Sequence, residues 1–71
     1  MNRYIVKHRI ERYGVGTYGY IHLYTVLEDG RPLPGFTDMT SGYRAEAYAK
    51  CRNDGMSSDQ AVNWVLDHIS L

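Results

Sequence analysis

Three imidazoles, one thiol and a short acid–imidazole–hydroxyl run are the reactive side chains of this sequence. His8, His22 and His68 lie far apart, with no pair at the i,i+4 spacing that sets two ring nitrogens on one helix face, so the sequence holds no metal-binding motif. Asp67, His68 and Ser70 have the residue types of a nucleophilic triad, but adjacent side chains on a helix point apart, which favours a solvent role. Cys51 is the only cysteine; it can form neither an internal disulfide nor a cysteine zinc site, and among small residues it reads as a buried hydrophobe. No catalytic constellation and no cofactor site is expected. What remains is Lys7 and Arg9 with Tyr18, Tyr20, His22 and Tyr24, basic groups beside aromatic rings, which suit a protein surface or a single-stranded nucleic acid. Seven Tyr against one Phe and one Trp make the aromatic content mostly amphipathic, the kind enriched at protein interfaces.

Two further motifs need a structural context that the chain does not supply. Gly14-Val15-Gly16-Thr17-Tyr18-Gly19 is a G-x-G-x-x-G, but a dinucleotide-binding loop opens a helix, whereas Tyr20-Ile21-His22-Leu23-Tyr24 reads as strand. The segment resembles the glycine-rich loop of protein kinases, which does sit in a hairpin and would imply a phosphate cover. Leu27 to Phe36 contains no lysine, however, and the H-R-D and D-F-G elements are absent. A hairpin connection accounts for the glycines. Gly55-Met56-Ser57 with Trp64 resembles the turn and second helix of helix-turn-helix DNA binders, yet that helix would present Asp59, Gln60, Asn63 and Asp67 to phosphates, the wrong sign.

The elements that must position these residues are set by periodicity. Between Arg3 and Arg12, Tyr4, Val6, His8 and Ile10 alternate with Ile5, Lys7, Arg9 and Glu11, a half-buried strand whose Val6 parity is expected inward. From Thr17 to Leu27 a second strand alternates Tyr18, Tyr20, His22, Tyr24 and Val26 with Ile21, Leu23, Thr25 and Leu27. Its more apolar Ile21-Leu23-Leu27 set is expected in the core, with the Tyr/His stripe outside. Tyr13-Gly14-Val15-Gly16 is expected to reverse the chain between them. Asp29-Gly30 marks a second hairpin, Pro32 and Pro34 confine the next segment to a sheet edge, and a short third strand is expected near Phe36 to Met39.

The last thirty or so residues read as helical. Thr40 or Ser41 caps a helix from about Gly42 to Asn53, with Tyr43, Ala47, Tyr48 and Cys51 on one face and a Glu46/Lys50 pair on another. Gly55 ends it. Ser57 with Gln60 forms a capping box, opening a second helix whose apolar face holds Ala61, Val62, Trp64, Val65, Leu66 and Ile69. The expected architecture is α+β: a three-stranded antiparallel sheet followed by two helices packed on one face, one domain over residues 1–71.

Composition narrows the function. Eight basic and eight acidic residues give zero net charge, which argues against binding a polyanion by bulk charge. The balance is uneven: residues 1–12 carry four basic residues against one acidic, while Asp54, Asp59 and Asp67 are the only charged residues beyond position 52. No apolar run approaches a membrane span and the start lacks a secretory pattern, so a cytoplasmic chain with no membrane partner is expected. In size and compactness the chain resembles the small accessory proteins of bacteriophages and mobile elements, including inhibitors of host defence such as anti-CRISPR proteins. That resemblance implies action by blocking. The leading expectation is a non-catalytic module that binds a larger protein or assembly through Lys7, Arg9, Tyr18, Tyr20, His22 and Tyr24, with a homodimer covering Trp64 as a further expected partner. Nucleic-acid binding by the basic, Tyr-rich face or by the helix pair is the alternative.

Overall fold

The computed structural model describes residues 2–13 and 19–69, and its elements run β1 (Tyr4–Tyr13), β2 (Gly19–Glu28), β3 (Arg31–Pro32), α1 (Gly42–Asn53) and α2 (Ser58–His68). The sheet is antiparallel in the order β1-β2-β3; α1 lies on both long strands and α2 packs on α1. This is the expected α+β arrangement of a three-stranded sheet followed by two helices. The Gly14–Tyr18 stretch, which holds most of the glycine motif and the expected reversal, falls outside the described residues.

β1 and β2 pair without a bulge from Tyr4↔Glu28 to Tyr13↔Gly19, so even-numbered residues of one strand face even-numbered residues of the other. Directly opposed side chains share a face of the sheet. One face therefore carries Tyr4, Val6, His8, Ile10 and Arg12 with Glu28, Val26, Tyr24, His22 and Tyr20. The other carries Ile5, Lys7, Arg9 and Glu11 with Leu27, Thr25, Leu23 and Ile21. The helices cover the first face, where Tyr4 and Val26 join Ala45, Tyr48, Ala49, Cys51, Ala61 and Val65 in the core. The inward parity expected for β1 holds at Tyr4 and Val6. That expected for β2 is reversed: Val26 is 0% exposed and Tyr24 packs against the core, while Ile21 and Leu27 lie on the helix-free face. Each strand's hydropathy, taken alone, favoured a different face, but the register makes Val6 and Val26 one pair. Leu23 is buried without belonging to the core, because its cross-strand partner Arg9 reaches over to Asp38 (3.1 Å) on the far side of β2.

The third strand also differs from expectation. Asp29 and Gly30 both have positive φ (52° and 83°), the type I′ geometry that matches strand twist, so pairing resumes at once with Glu28↔Arg31 and Leu27↔Pro32. Pro32 and Pro34 then remove two donors, and β3 ends at the sheet edge. Leu33-Pro34-Gly35-Phe36 forms a turn closed by Phe36 N–H to the Leu33 carbonyl (3.0 Å), with Gly35 at φ 88°, which brackets Val26: its carbonyl accepts from Leu33 and its N–H donates to Phe36. The segment expected as strand, Phe36 to Met39, contributes one bridge, Met39 to Tyr24.

Both helices carry their expected caps. The Ser41 side chain accepts from Arg44 N–H, and Ser57 and Gln60 form the reciprocal box. Gly55 (φ 101°) and Met56 donate to the Arg52 and Cys51 carbonyls, the paired bonds of a Schellman ending. The apolar faces are narrower than expected: Tyr43 is 83% and Leu66 59% exposed, while Ala45 and Ala49 take the places against the sheet. Small residues there let α1 approach the strands closely. Lys50 pairs with Asp54 (3.2 Å), which draws it toward the helix end and away from Glu46.

Tyr4 ties the first strand to the end of α1. Asn53 accepts from the Tyr4 N–H (2.9 Å) and donates to its carbonyl (2.8 Å), completing the backbone bonding of the strand's outer edge at that point. Arg52 donates to the Tyr4 hydroxyl (2.6 Å) and lies over its ring, while that hydroxyl donates to Glu28 (2.7 Å). The bond to Glu28, helped by burial and opposed by Arg52, raises the Tyr4 phenol above its ordinary value; burial likewise raises the Cys51 thiol. A raised pKa means that the fold favours the protonated form. Its contribution is complete below the ordinary pKa and is lost as pH rises through the folded one. Stability should therefore fall from about pH 9 upward, where unfolded thiols and then phenols ionise first. Thermal melts from pH 7 to 11 check this: Tyr4→Phe should flatten the alkaline fall, and a wild-type melting temperature that rises above pH 9 would contradict it.

Candidate protein interface

The helices do not reach the far half of the hairpin. Ten-residue strands extend roughly 33 Å, whereas the twelve residues of α1 make a rod of roughly 18 Å. The core takes in Tyr4, Val6, Tyr24 and Val26, but not His8, Ile10, His22 or Tyr20. These four side chains stand on the helix-bearing face of an overhang, without a layer of the described residues above them.

The two histidines are ordered by one another and by Tyr24. Tyr24 is directly opposite His8, and their rings stack with centroids 4.6 Å apart and 6° between planes. His8 continues to His22, the diagonal neighbour on β2, through a ring-nitrogen hydrogen bond of 2.9 Å in which one imidazole donates and the other accepts. Tyr24 anchors this row at the core. A Cβ at Gly42 would lie 2.7 Å from the tyrosine ring, so the glycine at the start of α1 is what lets the ring lie beneath the helix. Beyond His22 the face continues with Ile10, 54% exposed, then Tyr20, 60% exposed, opposite Arg12. Rings held by their neighbours lose little side-chain entropy on binding, which suits them as anchors.

The residues expected to form one surface separate into two. Tyr20, His22 and Tyr24 share the helix-bearing face, with Tyr24 half-buried. Lys7 and Arg9 lie on the opposite face, and Arg9 is engaged by Glu11 (2.9 Å) as well as Asp38. Tyr18 lies outside the described residues. The basic group that does accompany the aromatics is Arg12, and His8 and Ile10 complete the patch; sequence reasoning missed all three. Their signal was present in the sequence, because a hairpin whose opposed positions are both even-numbered brings His8 and His22 to one face.

The cysteine thiol and three serine hydroxyls are engaged within the fold. Cys51 is buried, Ser41 and Ser57 cap helices, and Ser58 is bonded to the Tyr48 hydroxyl (3.0 Å). His68 bonds the Trp64 carbonyl (2.8 Å) and stacks on the half-buried Trp64 ring, so it covers part of the residue expected at a dimer interface. Among the described residues no three His, Cys, Asp or Glu side chains converge as a metal site, and no helix is long and apolar enough to cross a membrane.

Compared with known proteins, the chain matches no family model, no curated protein and no solved structure.

Proposed function

We propose that this chain is a non-catalytic protein-binding module that acts by occupying the surface of a larger protein or assembly. The observation that carries the reading is the overhang. Its face presents a pre-ordered Tyr24-His8-His22 row beside exposed Ile10 and Tyr20, and nothing in the fold of the described residues covers it. Amphipathic rings flanked by an aliphatic side chain and one arginine have the make-up of a protein-binding hot spot. An inhibitor or modulator that works by steric blocking needs no more than this.

Nucleic-acid binding is the weaker reading, since stacking platforms work when cations track the phosphates beside the rings. Here Lys7 and Arg9 project from the other face, Arg9 is neutralised by two carboxylates, and α2 carries exposed Asp59 and Asp67. Fluorescence anisotropy with random single- and double-stranded DNA and RNA should show no binding at about 150 mM salt. Submicromolar binding that falls steeply with ionic strength and is abolished by charge reversal at Lys7 and Arg9 would displace the protein-binding reading.

A further inference from the structure

We propose that the outer edge of β1 pairs with the same edge of a second copy of this chain, antiparallel and centred on Ile10, to form a two-fold dimer with a continuous six-stranded sheet. This stands independently of what the aromatic face binds.

β1 is an edge strand, with β2 on one side only. Because Asn53 bonds the Tyr4 N–H and carbonyl from outside, the even-numbered residues of β1 direct their backbone groups away from β2. The matching groups of Tyr24 and Val26 turn toward Met39, Leu33 and Phe36, as that alternation requires. Asn53 closes the edge at Tyr4. Beyond it, among the described residues, the outward backbone groups of Val6, His8, Ile10 and Arg12 have no partner. An open edge this long, without proline or bulge, is a template for another strand.

The side chains select both partner and register. With Ile10 opposite Ile10 of the second copy, Arg9 stands across from Glu11 of that copy and Glu11 across from its Arg9, two symmetry-related pairs that set each Glu11 between the Arg9 it bonds in its own chain and that of the other copy. These are the closely spaced, non-hydrogen-bonded positions, where opposite charges interact best. Adjacent registers are worse: centring on His8 sets Lys7 against Arg9, and centring on Arg9 or Glu11 sets like charges on the axis. Centring on Val6 requires the Tyr4 groups that Asn53 already fills. The Ile10 register also joins exposed Ile10 to its copy and places Arg12 beside the His8 ring, on which a guanidinium can stack.

The two-fold axis is perpendicular to the sheet, so both helix pairs fall on the same face. From Val6 of one copy to Val6 of the other is eight residue steps of about 3.3 Å, roughly 26 Å, and the two aromatic rows would line the floor between the helix pairs.

Sedimentation of the full chain from micromolar to about 100 µM should show a dimer. Ile10→Pro removes only an outward N–H, leaves the β1–β2 ladder intact and should give a folded monomer. Glu11→Arg should weaken the dimer at least tenfold, and Arg9→Glu combined with Glu11→Arg should restore it when Asp38→Asn removes the carboxylate that Arg9 bonds in its own chain, since the swap then recreates the pairs across the edge. A wild-type chain that remains monomeric over this range overturns the proposal and leaves the edge to an extended segment of a different protein. So does a dimer that survives Ile10→Pro, or one that the charge swap fails to rescue.

Discussion

Tyr48→Ala is expected to leave the chain largely unfolded at 25 °C. Tyr48 is 2% exposed in α1, its ring stacks on Phe36 with centroids 4.0 Å apart, and its hydroxyl bonds Ser58 at the start of α2. One side chain therefore holds together the segment after β3, the central helix and the last helix. Removing a buried aromatic typically costs about 3–5 kcal/mol, and a domain of this size has about that much in total. Tyr48→Phe keeps the ring and loses one hydrogen bond, a cost of about 1 kcal/mol, or roughly 4–8 °C in melting temperature. Far-UV circular dichroism and thermal melts separate the two. A cooperative melt of Tyr48→Ala within a few degrees of wild type would mean that this ring is not the joint described.

Tyr4→Ala is expected to have an effect of the same class by another route. Among the described side chains of β1, Tyr4 alone is fully buried in the core, and it is held by Glu28, Arg52 and Asn53. Truncation opens a cavity beneath Arg52, whose Nε already lacks a partner, and takes away the hydroxyl that Arg52 and Glu28 share. The far-UV spectrum should lose both helix and strand, because the Asn53 bonds to the residue-4 backbone would then be the one polar tie left between α1 and β1 among the described side chains. Tyr4→Phe should remain folded, since Arg52 and Glu28 are then free to pair directly. If Tyr4→Ala melts no lower than Tyr4→Phe, the core role of the ring is wrong.

The sequence was legible where local physics decides. The capping box at Ser57 and Gln60, the Gly55 ending and the Asp29-Gly30 hairpin depend on residues a few positions apart, and each is present in the fold. It was misleading where two distant segments decide together. Taken alone, β2 has a more apolar odd-numbered set, yet Val6 and Tyr4 fix the helix-bearing face on β1, and the even-to-even register carries Tyr24 and Val26 inward with them. In α1, residue size alone would put Tyr43 in the core. Close packing on the sheet instead admits Ala45 and Ala49 and leaves the tyrosine outside. The candidate surface obeys the same logic: Tyr20 and His22 are visible as a β2 stripe, whereas His8, Ile10 and Arg12 belong with them only through the pairing, and the overhang that keeps them exposed comes from the unequal lengths of hairpin and helix.

The central claim is that the overhanging aromatic face binds a protein. It is tested most directly by parallel affinity capture from the native host, under nuclease treatment, with the tagged wild-type chain and a Tyr20→Ala, His22→Ala variant. Both residues are exposed, so the variant should keep the wild-type circular dichroism spectrum and a cooperative melt, lowered by no more than the exposed His8–His22 bond contributes. An anchor of this kind contributes about 2 kcal/mol or more, so affinity should fall at least roughly thirtyfold. The account predicts a protein that copurifies with the wild type, withstands moderate salt and is lost with the folded variant. Equal recovery of the same partner by both chains, or recovery that depends on nucleic acid, would contradict it.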